Sequence, residues 1–186
     1  MKKKLLLIFL LSAFYFTSIQ AQNFRAYIIA GFNVSQIEGD ELSGYNKAGL
    51  IFGGATNFKL DEKWSFQQEI VYYQRGSRAT DEELEADDFT KLRVDYIDIS
   101  ILPVYHIDEK WSVIGGLGYG FFIDVVSDLN AERSVFENDL FFALGPQYQL
   151  SYKLLASIRL QFSTITVLDF QDAYNNSINF TIRYKL

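Results

Sequence analysis

The chain has 186 residues, with 17 Lys and Arg against 23 Asp and Glu, a net charge of −6, and no cysteine. That acidic balance argues against a nucleic-acid partner, because phosphate binding needs clustered Lys and Arg. Without cysteine there are no disulfides and no thiolate metal ligands, so packing and hydrogen bonds alone must hold the fold.

The first element is an export signal. Lys2, Lys3 and Lys4 form a charged start, Leu5 to Phe16 an apolar stretch too short for a bilayer-spanning helix, and Ala21 a small residue for cleavage. Residues 1–21 are read as a cleaved signal peptide and residues 22–186 as one domain. Removing three lysines and no acid leaves 14 basic against 23 acidic residues, a net charge of −9. No later apolar run approaches the length of a membrane helix, yet barrel strands give a far weaker hydropathy signal.

From residue 24 the chain alternates with period two, the mark of half-buried strands. In 24–35, Phe24, Ile28, Phe32 and Val34 oppose Arg25, Asn33 and Ser35. In 48–60, Leu50, Phe52 and Phe58 oppose Gly49, Gly53 and Asn57; in 64–76, Trp64, Phe66, Ile70 and Tyr72 oppose Ser65, Gln67, Glu69 and Arg75. In 91–106 the apolar face starts at Leu92, Val94 and Tyr96, then slips to Ile97, Ile99 and Ile101. Such a slip predicts a β-bulge near Tyr96–Ile97. In 111–125, Trp111, Val113, Leu117, Tyr119, Phe121, Ile123 and Val125 oppose Ser112, Asp124 and a glycine row at Gly116, Gly118 and Gly120. The stretches 139–150, 154–164 and 177–186 continue the pattern, and Asp139, Arg159 and Arg183 fall on their polar faces.

Eight strands result, joined by tight turns at 61–63, 108–110 and 151–153 and by long polar connections at 36–47, 77–90, 127–138 and 165–176. The fold class predicted is an all-β, eight-stranded antiparallel up-and-down barrel, because closure removes both sheet edges. Alternation does not say which face points out. Small residues on the polar faces suit a narrow lumen, and long loops at one rim with tight turns at the other match an outer-membrane barrel. Trp111 and Phe121, like Tyr174 and Tyr184, stand ten residues apart. In strands tilted about 40° that spacing climbs roughly 25 Å, the height of the lipid-facing band. The transmembrane reading is therefore adopted, with an exported lipocalin-like carrier of an apolar ligand as the alternative.

Four stretches resemble the PorT-like family of outer-membrane β-barrel proteins: AGFNVSQIEGD (30–40), GYNKAGLIFGG (44–54), KWSFQQEIVYYQRGS (63–77) and DYIDISILPVY (95–105). The resemblance implies a small barrel in the outer membrane of a Gram-negative envelope. It implies no single activity, the family being named for a secretion-linked member.

The segment DEKWS occurs at 61–65 and again at 108–112. Both copies fall on tight turns, so Trp64 and Trp111, with Tyr184, are expected as membrane-interface aromatics at headgroup depth. Arg25, Glu69, Arg93, Asp95, Arg159 and Arg183, together with Arg75, Asp124 and Asp139, are expected inside the lumen as an ion-pair network, since charges at membrane depth must face inward and pair. His106 is the sole histidine and lies at the turn rim, where an interfacial polar role is expected rather than lipid A hydrolysis. The acidic run TDEELEADD (80–88) lacks the spacing of a calcium loop and reads as a solvated loop, with weak divalent bridging to lipopolysaccharide as a hypothesis. No phosphate loop, nucleophile elbow or metal cluster is present, so neither enzyme activity nor a cofactor is expected. The partners expected are outer-membrane lipid and lipopolysaccharide, the assembly machinery during biogenesis, and an unidentified protein at the external loops.

Overall fold

A computed structural model describes residues 24–39, 44–80, 91–127, 137–167 and 172–186. The strands are β1 (Phe24–Glu38), β2 (Lys47–Lys59), β3 (Trp64–Arg78), β4 (Lys91–His106), β5 (Trp111–Ser127), β6 (Asp139–Gln149), β7 (Leu154–Ser163) and β8 (Tyr174–Lys185). Each pairs antiparallel with the next, and β1 pairs with β8 to close the barrel. Eight strands in sequence order with no crossover form an up-and-down meander. The proposed signal segment and most of the acidic run at 80–88 lie outside the described residues.

Closure depends on the two end strands being longer than their alternation alone suggests. β1 continues to Glu38 and β8 begins at Tyr174, because Gln36, Ile37 and Glu38 pair with Asn176, Asn175 and Tyr174.

The alternation resolves into two environments. Phe24, Ile28, Phe32, Leu50, Phe52, Ile70, Ile99, Leu117 and Leu144 are exposed on the outer wall. Asn33, Ser35, Gln67, Glu69, Arg75, Arg159, Gln161 and Arg183 are buried within. A lipocalin-like carrier has the opposite polarity, with apolar residues around a ligand and polar ones in water. That alternative is therefore set aside.

The lumen is not uniformly polar. Tyr27, Ile29, Ile51, Val71 and Tyr73 form one apolar cluster inside it; Ile37, Leu92, Val94, Tyr96 and Val167 form another towards the loop rim. The irregularity predicted near Tyr96–Ile97 is present as a register shift between Asp95 and Tyr96 in the β4–β5 ladder, but β4 is not the strand that bulges. β3 pairs with β4 without interruption from Trp64↔Tyr105 to Arg78↔Lys91, so β4 has no extra residue. Leu92, Val94 and Tyr96 share the inner face with Asp98 and Ser100, and only the chemistry of that face changes along the strand. The irregularity lies opposite, on β5: Asp95 pairs with Asp124 and Tyr96 with Phe122, leaving Ile123 as the extra residue. Beyond it the faces exchange, so Val125 packs inward against the upper cluster.

Candidate functional site: the lumen, its rim and the outer wall

The three tight turns share one hydrogen-bond plan, and it explains the repeated DEKWS segment. Asp61 Oδ1 accepts from the backbone N–H of Lys63 and of Trp64, both at 2.7 Å. Asp108 Oδ1 does the same with Lys110 and Trp111, again at 2.7 Å. In each copy the tryptophan carbonyl accepts from the two residues that open the turn, Leu60 and Asp61 or Ile107 and Asp108. An Asp at this position mimics a backbone turn with its own side chain. The third turn has Ser151 instead, whose Oγ accepts from Lys153 N–H at 3.4 Å.

Beyond each Asp turn the indole stands on the outer wall. Trp64 is 45% exposed and Trp111 48% exposed. Each packs on a tyrosine of the adjacent strand, Trp64 on Tyr105 with centroids 4.9 Å apart and Trp111 on Tyr148 at 4.7 Å. Tyr184 is exposed at the same rim, where Lys153 Nζ donates to its hydroxyl at 3.3 Å. Lys185 lies over the ring of Tyr152, 4.1 Å from its centroid.

The lumen holds two linked charge clusters. In the first, Arg159 Nη1 donates to Glu69 Oε2 at 2.8 Å, Gln67 Nε2 donates to Glu69 Oε1 at 2.5 Å, and Arg183 Nη1 donates to Gln67 Oε1 at 2.5 Å. In the second, Arg75 pairs with Asp98 through Nη2 and with Asp139 through Nη1, the latter at 2.9 Å. Gln161 donates to Asp98 at 3.2 Å and Ser163 to Asp139 at 2.7 Å. Arg75 also lies within about 5 Å of the rings of Tyr73, Tyr96 and Phe141. Tyr73 in turn accepts from Arg159, which joins the clusters. The two clusters comprise Arg75, Arg159 and Arg183 with Glu69, Asp98 and Asp139, so their charges balance. Balanced, hydrogen-bonded charge is the condition under which ions tolerate burial.

Glycine on β5 makes the room. A Cβ at Gly118 would lie 2.2 Å from the Phe141 ring, and one at Gly120 2.7 Å from Asp98 Oδ1. The glycine row thus admits the aromatic and the carboxylate that surround Arg75.

A family model for the outer membrane protein beta-barrel domain matches residues 20–184. The chain belongs to that family. No curated protein matches the sequence. Among solved structures, Ail, the attachment invasion locus protein of Yersinia pestis, is 16% identical, with a TM-score of 0.55 over 87% of this chain and 98% of that one. Neisserial surface protein A is 10% identical, with a TM-score of 0.59 over 87% and 97%. A de novo designed transmembrane β-barrel is 8% identical, with a TM-score of 0.50 over 90% and 98%. At these identities the likeness is one of fold. The outward apolar wall accordingly faces lipid in the outer membrane.

Within this outer-membrane barrel, several expected lumen charges take other places. Arg93 and Asp95 pair with each other, Nε to Oδ1 at 3.2 Å, on the face of β4 opposite Val94 and Tyr96; Arg93 is 35% exposed at its side chain and Asp95 is buried. They are not part of the lumen network, because the apolar residues flanking them point inward. Asp124 is likewise turned to the outer face by the extra residue at Ile123. Arg25 is exposed at the mouth of the lumen and forms no ion pair among the described residues. Asp98 was not anticipated, although it shares a face with Ser100 opposite Ile97, Ile99 and Ile101, which is the signal that identifies it.

His106 does have a serine beside it: Ser65 Oγ lies 3.0 Å from His106 Nε2, and Asn57 Nδ2 donates to the same oxygen at 3.0 Å. The arrangement stops short of a triad. Among the described residues no carboxylate bonds to His106, and Ser65 is 1% exposed, too enclosed to meet an ester. The described residues also contain no group of His, Cys, Asp and Glu able to hold a metal ion.

Proposed function

We propose that this protein is a non-enzymatic integral barrel of the outer membrane whose working surface is its loop rim, with a structural or interaction role linked to secretion or adhesion. The observation that carries this reading is the buried, charge-balanced network joining β3, β4, β6, β7 and β8 across the lumen. An eight-stranded barrel has room inside for side chains and little else. With the middle of the lumen filled by these side chains and the wall committed to lipid, recognition at the cell surface falls to the four external connections. The four quoted stretches that resemble PorT-like proteins lie on β1 to β4 and favour the secretion-linked form of the role.

In this reading Trp64, Trp111 and Tyr184 anchor the turn rim at lipid headgroups, and Glu69, Arg159 and Arg183 belong to the plug. Residues 1–21 direct export and are removed. The terminal strand, with Tyr184 and Leu186 on its outer face, engages the assembly machinery. Lipid and lipopolysaccharide surround the mature barrel.

Photocrosslinkers placed in 36–47 and 77–90 in intact cells test the proposal. Capture of a defined envelope or secretion component, lost when those loops are replaced by short turns, supports it. A stable single-channel conductance altered by Glu69→Ala would replace it with a pore.

A further inference from the structure

At the turn rim the lumen opens into a cavity of about 430 Å³, at the opposite end from the loop surface. Its wall is built from four strands in sequence. Arg25 of β1 pairs across the sheet with Asn57 of β2; Asn57 donates to Ser65 of β3; Ser65 contacts His106 of β4. Lys59 stands beside them, paired across the sheet with Ser65. Tyr27, Val104 and Leu155 supply apolar floor.

Two independent features give this cavity a ligand preference. First, Arg25, Lys59 and Lys63 line it, and no carboxylate of the described residues lies within 4.0 Å of their charged nitrogens. Second, Gln147 borders it from β6, is 2% exposed, and its amide nitrogen has no hydrogen-bond partner among the described residues. A buried donor without an acceptor is costly, and a bound oxyanion relieves that cost. Ser65 Oγ accepts from Asn57 and lies 3.0 Å from His106 Nε2, which holds the imidazole at the cavity wall beside them. Cations, an imidazole and an unpartnered amide donor thus line one cavity.

The charge around the cavity narrows the class further. Glu62, Asp108 and Glu109 also line it, from the turns that form its outer edge. Three acids balance the three cations, so the lining as a whole disfavours a polyanion. A small solute with a single carboxylate suits such a mixed lining better than a polyanion does. We propose that the turn-side mouth is a binding site for small monocarboxylates, formed by Arg25, Lys59, His106 and Gln147. A cavity of this size lies within the usual range for small ligands.

The test uses the full barrel in lipid nanodiscs, with its side-chain amides labelled for NMR. N-acetylalanine is the monocarboxylate probe, pyrophosphate the polyanion, and chloride at matched ionic strength the control for simple screening. The expected result is a saturable shift of the Gln147 amide with N-acetylalanine, with a Kd of roughly millimolar, as suits few-atom ligands. Arg25→Gln combined with Lys59→Gln should weaken binding at least tenfold, and Gln147→Leu, followed on the Asn57 amide that lines the same cavity, about threefold. Arg25 and Lys59 are exposed, so their replacement leaves the fold to report. Absence of a saturable shift, an equal response to chloride, or tighter binding of pyrophosphate would each overturn the proposal. None of these outcomes bears on the loop surface, which lies at the other rim.

Discussion

Arg159 of β7 reaches across the lumen to Glu69 of β3, Nη1 to Oε2 at 2.8 Å, although 90 residues separate them in the chain. The pair ties two walls of the barrel that share no backbone ladder. Removing one member leaves a buried charge uncompensated, which typically costs about 3–5 kcal/mol. Glu69→Ala, which strands Arg159 and also removes the acceptor of the Gln67 amide that holds Arg183, is expected near the upper end of that range. Adding Arg159→Met should recover part of the loss, because the orphaned guanidinium goes too. Urea unfolding of the single and double variants, compared as a cycle, checks the coupling; strictly additive losses would deny that the pair acts as a unit.

The same lumen predicts an unusual intolerance of alanine. At Gly118 a Cβ would lie 2.2 Å from Phe141, whose ring lies against Arg75. Gly118→Ala should therefore destabilise the barrel by about 1–3 kcal/mol, the usual range for an overpacked core. Gly118→Ala combined with Phe141→Leu frees space and should fall nearer to the parent. Band shifts between boiled and unboiled samples, followed with temperature, measure the order of the three proteins.

These two cases also mark what the sequence does and does not make legible. Period-two alternation is a backbone property, so the eight strands and the turn positions could be read directly. Arg159 and Arg183 were legible because Ile158, Leu160, Ile182 and Tyr184 beside them face lipid, and Glu69 because it alternates with Phe66, Ile70 and Tyr72. Arg93 and Asp95 were misplaced for the converse reason. Leu92, Val94 and Tyr96 look like a lipid-facing row, yet they fill the upper lumen with Ile37 and Val167, residues from distant parts of the chain. Alternation separates two faces without naming the inner one where the lumen itself turns apolar. The extra residue at Ile123 was hidden similarly, because its strand keeps an apolar pattern across the exchange of faces.

The Asp turns carry a pH signature. Asp108 accepts two backbone N–H bonds, from Trp111 and Lys110, and these hold its carboxyl below the ordinary carboxylate range. A folded-state pKa below the unfolded one adds stability above the unfolded value, near pH 4, and that stability is lost as pH falls through the folded value. Asp108→Asn should thus be less stable than the parent at neutral pH, and the gap should close in acid. Unfolding midpoints of both proteins from pH 7 down to about 2.5 read this directly. A gap that stays constant over the range would remove the carboxylate from the account and leave only the turn geometry.

The indoles offer a depth measurement. Trp64 and Trp111 are the only two tryptophans, and both sit on the outer wall directly after the Asp turns. If they anchor the barrel at the interface, both should sense one leaflet at one depth. Intrinsic fluorescence in vesicles of brominated lipid should be quenched most by bromines high on the acyl chain and least by those near its end. Trp64→Phe and Trp111→Phe should each leave a spectrum and a quenching profile close to that of the other, because the two turns repeat the same geometry around the same Trp–Tyr contact. Strong quenching by deep bromines, or two different depths, would deny the anchoring role and the common level of the two turns. Replacing either indole by alanine should lower stability, since the exposed aromatic surface is favoured at headgroup depth and its tyrosine partner loses a packing contact.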